Sequence, residues 1–548
     1  MSKTLKAYFN LAKKYAIREK IKLAYLLCGL LMTLCFSYNI LHTVDMKGFL
    51  SFQLLSENLV TGKAIADNSL NVFDNGGFLC DYQVGADFEE DKQLYMENHI
   101  PADDHIFATY TRQIGLQGMF FSFVNKLPLP KPIIYYLVQL LYSAILSAVL
   151  LRLLAFLIEG FKYYKTAILC FSLSTIFFCP TLLNMAKNLY WVPFTFFLPM
   201  LACFYAAVKF KNEPFKFKSL ALISLAVFIK SACGYEYIST ILISAIIPVV
   251  YYAVMNKYKL KSTALQFIRV SVAAVSGFVL AVAIHTLQKL AVLGSLSESI
   301  KDLADNASGR TFNPESLSDS ARLNKNMMGV LIPYFAYPVL IIAIVIIAVV
   351  IGIKLKRKKW GNPMAALAIS LGLAFLAPMS WYVLAKGHAM VHTAFNTVLW
   401  SVPFSIFAFV FLFYAITQSF SIKPAYQITA FSLFLLLAAG VNNLLYTGDY
   451  TKKALMLVPV YKIQSIVKPI SYEMPFVTTW NDQGVSYIST DGSRRIYAML
   501  MLANGEISIN GQKFHFDFVQ SEKAEKSIVI ALKEELLEYP QSVIINIP

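Results

Sequence analysis

Apolar stretches of about 18 residues or more recur along this chain, and that pattern restricts its fold more than any other feature. Inside a bilayer there is no water to satisfy backbone N–H and C=O groups, so such a stretch is stable as a helix. By this length criterion the sequence predicts about eleven spans. They lie near residues 22–43, 133–158, 165–186, 190–208, 218–233, 235–255, 266–292, 329–353, 363–385, 391–417 and 425–446. The 548 residues are 57% hydrophobic and 15% charged, too apolar for a soluble core to hide. The expectation is an α-helical polytopic membrane protein.

The net charge of +16 does not point to nucleic acid, because the basic residues fall into short connections on one side. Lys13, Lys14, Arg18, Lys20 and Lys22 precede the first span. Lys162, Lys165, Lys209, Lys211, Lys216, Lys218, Lys257, Lys259, Lys261 and the run Lys354–Lys359 follow in alternate connections. The positive-inside rule puts these loops and the N-terminus in the cytoplasm, and parity over eleven spans puts the C-terminus outside. The first apolar run is too long for a signal-peptide core and reads as an uncleaved anchor. Six of the seven cysteines lie in or at the ends of spans, which is neither a disulfide framework nor a metal cluster.

This topology divides the chain into a membrane module, residues 1–446, and an extracytoplasmic segment, 447–548. The module carries outer loops at 44–131 and 293–328. The first is long and holds twelve Asp and Glu residues, an acid excess that suits its outer placement. Its Asp-, Asn- and Gly-rich part, 60–91, reads as irregular. Residues 105–124 regain an apolar pattern that fits a surface helix on the bilayer, or a helix–turn because Gly115 and Gly118 weaken a helix. The C-terminal segment has NDQG, TDGS, Asn504–Gly505 and Asn510–Gly511 between β-prone runs such as RIYAMLML and KFHFDFV, which are hairpin signals. AEKSIVIALKEELLEY reads as helical and SVIINI as a last strand, giving a small α+β domain.

Several outer positions break the charge rule. Lys187, Lys230 and Lys386 sit at outer ends of spans, and Arg112, Arg310 and Arg322 sit in outer loops. Cations there either snorkel to lipid phosphates or hold an anionic headgroup by charge-assisted hydrogen bonds. In KSACGYEYIST, Glu236 lies between two tyrosines at the junction of two apolar runs. An ionisable residue at that depth is a functional candidate, against the plainer reading of an ion pair with Lys230. In KGHAMVHTAFN, His388, His392 and Asn396 share one helix face, suited to a headgroup, a sugar or an interhelical contact. Two histidines at that spacing also suit a metal, but no HExxH signature or nearby carboxylate accompanies them. In NMAKNLYWVPF, Tyr190 and Trp191 fit an interfacial aromatic belt or a stacking wall for a sugar ring. Gln113 and Gln117 lie in the aromatic-polar stretch YTRQIGLQG.

A transferase that moves a sugar to a hydroxyl needs a base near the acceptor. Asp45, at the end of the first span, and the pair Asp103–Asp104 are the candidates, and such a pair could alternatively hold a divalent cation. The choice between Asp45 and Asp104 stays open. Most of the other acids read as a solvated loop.

Taken together, the long acidic first outer loop, YTRQIGLQG, NLYWVPF, CGYEYIS and KGHAMVHTAFNTVLWSVPF resemble the GT-C superfamily of bacterial polytopic membrane glycosyltransferases, over about residues 20–420. The resemblance implies an enzyme of the bacterial inner membrane. Its donor is a polyprenyl-phosphate-linked sugar, and it acts at the outer face on a cell-envelope glycan or lipid. It also implies a catalytic acid in the first outer loop, here Asp45, Asp103 or Asp104. Arg310, Lys230 and Lys386 would grip the carrier phosphate, with Mg or Mn as a conceivable aid, while Arg112, Gln113, Gln117, Tyr190, Trp191, Glu236, His388 and His392 would complete substrate binding. The chain departs from better-known members in lacking an acidic pair immediately after the first span. Two alternatives are a polymerase or ligase acting on undecaprenyl-pyrophosphate-linked chains, and a non-enzymatic lipid-linked sugar flippase or transporter. The first usually places its large loop late. The second predicts mid-span charges and broken helices in matched halves.

Overall fold

The computed structural model describes residues 3–44, 46–68, 71–81, 90–99, 107–159, 164–209, 215–312, 362–391 and 398–419, and seven strand segments between 470 and 547. Asp45, Asp103, Asp104, Arg322, His392 and Asn396 lie outside the described residues, as do the expected spans 329–353 and 425–446. The described residues fall into two compact units, one helical and one made of strands.

In the helical unit, α1 (Lys3–Tyr38) carries the first apolar run. One face buries Met32, Cys35 and Phe36, and the other exposes Leu23, Leu26, Leu27 and Leu30, as a lipid-facing helix does. Short helices α2 (Met46–Leu50), α3 (Leu54–Ala66), α4 (Glu90–Met96) and α5 (Leu116–Val124) follow within the segment 44–131, with strands β1 (Leu79–Asp81) and β2 (Ala108–Tyr110) paired antiparallel. Then come α6 (Lys131–Leu157), α7 (Tyr164–Phe178), α8 (Pro180–Met185), α9 (Leu198–Ala207), α10 (Phe217–Ala232), α11 (Ile238–Asn256), α12 (Leu260–Leu293) and α13 (Leu296–Phe312). Helices Asn362–Leu384, Lys386–Val391 and Ser405–Ser419 complete the unit.

Among the described residues, five helices are long and apolar enough to cross a membrane: Ile21–Tyr38, α6, α11, α12 and Asn362–Leu384. Other expected spans are interrupted. The run 165–186 breaks at Cys179, because Pro180 has no N–H to continue α7 and instead opens α8. The run 190–208 opens as a turn and a 3-10 segment, Pro193–Phe196, before the ten residues of α9. The run 218–233 forms the 16-residue α10. It packs closely on α12 because Gly277 faces the backbone of Ser224, where any β-carbon would collide.

The described parts of the segment 44–131 are folded into the unit. Residues 60–66, read above as irregular, continue α3, which is buried along most of its length. The sequence hides this because α3 carries Glu57 and Lys63 among its apolar residues, and both charges are paired in the interior. Lys63 donates to the carbonyl of Val72 at 2.9 Å and pairs with Asp67 at 3.1 Å. Burial raises the Asp67 carboxyl above its usual range, with Lys63 opposing the shift. The stretch 105–124, expected as a surface helix or a helix–turn, is instead a strand, a turn and a helix where it is described: β2 is followed by a turn at Thr111–Ile114, and Gly115 (φ +80°) precedes α5, which contains Gly118. Gly118 abuts Leu79, and Phe121 is fully buried, so α5 packs into the protein by one face.

The second unit holds a seven-stranded sheet, in order β3-β9-β6-β7-β8-β5-β4, from β3 (Ile470–Pro475), β4 (Thr478–Asp482), β5 (Val485–Asp491), β6 (Glu506–Ile509), β7 (Gln512–Val519), β8 (Ser527–Leu532) and β9 (Ser542–Ile547). All pairings are antiparallel. Strands β6 and β7 pair antiparallel with Ile509 opposite Gln512, and Asn510 and Gly511 between them lie outside the described residues. In β7, Phe514 and Phe516 are buried while Lys513, His515 and Asp517 are exposed, the period of two that makes a one-sided strand. The expected helix over AEKSIVIALKEELLEY is corrected: SIVIAL is β8, its burial alternating with Ile530 and Leu532 inward.

Removing one partner of a buried ion pair leaves the other charge uncompensated. Lys63→Met should therefore cost about 3 kcal/mol in denaturation of the detergent-solubilised protein, and adding Asp67→Leu should recover most of it. A loss below about 1 kcal/mol in the single variant would show that the pair is not buried as described.

Candidate functional site

The site is organised by the connection between α10 and α11. The C-terminal carbonyls of α10 need donors, and Lys230, fully buried in the last turn, donates to the carbonyl of Gly234 at 2.6 Å. Its ammonium also lies 5.0 Å from the centre of the Phe196 ring. Gly234 (φ +141°) and Tyr237 (φ +63°) turn the chain so that Glu236 points inward, 6% exposed. The φ of Gly234 is one that residues with a side chain rarely adopt, which favours glycine here, and the carboxylate of Glu236 and the amide of Gln113 lie where a β-carbon would project.

Other segments close around this turn. Arg310, in the last turn of α13, faces Glu236 with its guanidinium 3.5 Å from Oε1, and lies over the Tyr235 ring at 5.9 Å. Lys289 of α12 pairs with Asp302 of α13, which fixes the helix that delivers Arg310. Gln117 of α5 donates to the carbonyls of Tyr190 (3.1 Å) and Cys233 (3.0 Å), and Gly115 donates to Ala232 (3.1 Å). These bonds tie the segment 44–131 to two later connections. Tyr110 and Tyr190 hydroxyls meet at 3.2 Å. The Trp191 ring stacks on Tyr237, with centroids 5.9 Å apart and planes at 18°. Trp381 and His388 extend this wall, each ring edge-on to Tyr237 and to the other.

A histidine–tyrosine pair lies beneath. His285 Nε2 is 3.1 Å from the carbonyl of Thr111, which can only accept, so Nε2 carries the proton. Nδ1 then accepts from the Tyr235 hydroxyl at 3.0 Å.

Of the residues singled out from sequence, the structure thus brings together Gln113, Gln117, Tyr190, Trp191, Lys230, Glu236, Arg310 and His388. Lys386 opens the short helix that carries His388. Arg112 is exposed. Lys187 belongs to a different cluster, with its ammonium 3.9 Å from the centre of the Phe49 ring. That cluster surrounds Glu57, which accepts from Tyr135 (2.9 Å), Gln139 (3.2 Å) and the backbone N–H of Leu189 (2.9 Å). Sequence reasoning passed over Glu57 as one of many loop acids; its apolar surroundings in LLSENLV were the signal. Tyr110, Tyr235 and His285 were also missed. Among the described residues no group of three or more His, Cys, Asp or Glu side chains converges; the Asp103–Asp104 pair lies outside them.

The cluster therefore offers a buried carboxylate, two cations, amides and a broad aromatic wall. No family model, curated protein or solved structure matches the chain. Fold and site define a helical membrane protein.

Burial lowers the Lys187 ammonium to about 8, against the opposing pull of Glu57. The unfolded chain, with an ordinary lysine, then binds more protons than the folded one above pH 8, so stability rises with pH through that window up to the ordinary lysine range. Melting temperatures of the nanodisc-embedded protein should climb from pH 7.5 to 9.5 relative to those of Lys187→Met. Parallel profiles for the two proteins would refute the assignment.

Proposed function

We propose that this protein is a membrane glycosyltransferase of the GT-C kind, which takes a sugar from a polyprenyl-phosphate carrier at the outer face and transfers it to an envelope glycan or lipid. The observation that carries the reading is the pairing of Arg310 with the buried Glu236 carboxylate beside the Trp191–Tyr237 wall, with Lys230 buried in the same turn on the carbonyl of Gly234. Cations in a low-dielectric site favour an anionic leaving group, and aromatic faces favour a sugar ring. The eleven-span topology, the cytoplasmic N-terminus and the inner-membrane location belong to this proposal.

In the proposed reaction the acceptor hydroxyl oxygen forms a bond to the anomeric carbon. The bond from that carbon to the carrier phosphate breaks, and its electron pair leaves with the phosphate. Arg310 and Lys230 stabilise that charge, and the hydroxyl proton passes to a carboxylate of the first outer segment, Asp45, Asp103 or Asp104. Arg310 is placed by α13, and Lys230 by the end of α10.

The test is transfer from a polyprenyl-phosphate hexose by the purified protein in nanodiscs. Arg310→Ala should lower kcat about a hundredfold, by analogy with loss of one donor to a developing anion. At least one of Asp45→Asn, Asp103→Asn and Asp104→Asn should abolish transfer with the protein still inserted. Full activity in all four variants would refute the proposal. Movement of the intact lipid-linked sugar across the bilayer, without transfer, would favour a flippase.

A further inference from the structure

Gln113 is 1% exposed, and neither its amide oxygen nor its amide nitrogen has a hydrogen-bond partner among the described residues. An amide buried in that state costs stability, so its retention needs a reason. The side chain is aimed at the site: its Oε1 and the Oε2 of Glu236 press on the same face of Gly234. The other Glu236 oxygen faces Arg310. Two polar side chains from distant parts of the chain therefore converge beside the aromatic wall, and their chemistry differs from that of the cations. A carboxylate accepts only, while an amide both accepts and donates. Together they suit neighbouring hydroxyls, one donating to Glu236 and the other exchanging with Gln113, and the negative carboxylate disfavours a phosphate at this end.

From this juxtaposition we infer that Gln113 and Glu236 form a hydroxyl-reading subsite for the vicinal hydroxyls of a pyranose, separate from the anion grip of Arg310. The inference rests on the sugar-site reading above but does not need a polyprenyl carrier. It makes Gln113 a specificity-determining residue, and its unpartnered amide a stability cost kept for binding.

The experiment compares the wild-type protein with Gln113→Leu in nanodiscs. It uses methyl hexopyranosides as a sugar without an anion, and decaprenyl phosphate as an anion without a sugar. Binding is followed by the fluorescence of Trp191 and Trp381. Replacing an unpartnered buried amide by an apolar group of similar shape should leave the ligand-free melting temperature unchanged or raised. The same change should weaken binding of the preferred glycoside about tenfold, the worth of one hydrogen bond, and leave decaprenyl phosphate unaffected. A melting temperature lowered by several degrees would show that Gln113 is a structural hydrogen-bonding residue and overturn the inference. So would unchanged glycoside affinity, or a wild-type protein that binds no glycoside. If glycoside binding falls as expected while neither protein binds decaprenyl phosphate, the subsite stands and the carrier reading fails.

Discussion

A carboxylate taken out of water is tolerated only where cations and donors are brought to it, and Glu236 imposes that requirement on everything around it. It sits in the turn between two apolar helices, 6% exposed. Arg310 reaches it from α13, which Lys289 holds through Asp302. Lys230 lies one turn back and caps the end of α10 through the carbonyl of Gly234. Gln117 spans two neighbouring carbonyls, so α5 cannot shift without opening the turn. The aromatic wall follows from the same turn, because Tyr237 both starts α11 and stacks on Trp191.

The segment between the first two apolar runs supports this arrangement by packing into the helical unit. Two of its charges are settled in the interior: Lys63 within the segment, by Asp67 and the Val72 carbonyl, and Glu57 by Tyr135 and Gln139 of α6 and the backbone N–H of Leu189. Glu57 also holds the connection that presents Tyr190 and Trp191, since Leu189 directly precedes them. Two buried carboxylates thus flank one short aromatic connection. Glu57 is saturated by neutral donors and reads as structural, whereas Glu236 faces cations and an amide with spare capacity.

Much of this site was legible before any coordinates, because charges and amides at the outer ends of apolar runs are conspicuous. Lys230, Glu236, Arg310 and His388 stood out that way, and the fold gathers them. Tyr110, Tyr235 and His285 did not stand out, since a tyrosine or a lone histidine near an apolar run has many ordinary uses. Among the described residues, five of the expected spans are single helices long and apolar enough to cross a membrane. Apolar composition does not register a break such as Cys179–Pro180, nor a buried turn such as Leu189–Val192, and it reads both as continuous helix. Charge misled in the opposite sense at α3, where paired Lys63 and Glu57 made a buried helix look like loop. In the C-terminal unit the antiparallel pairing of β6 with β7 was readable from the hairpin signal between them. SIVIAL, embedded among helix formers, became a strand because its alternating face fits between β5 and β7.

The most direct test is a structure of the nanodisc-embedded protein with a polyprenyl-phosphate hexose bound. The account predicts the carrier phosphate against Arg310, the sugar ring along Trp191 and Tyr237, and its hydroxyls at Gln113 and Glu236. A carrier bound elsewhere, with the Glu236–Arg310 cluster unchanged and free of sugar, would contradict it.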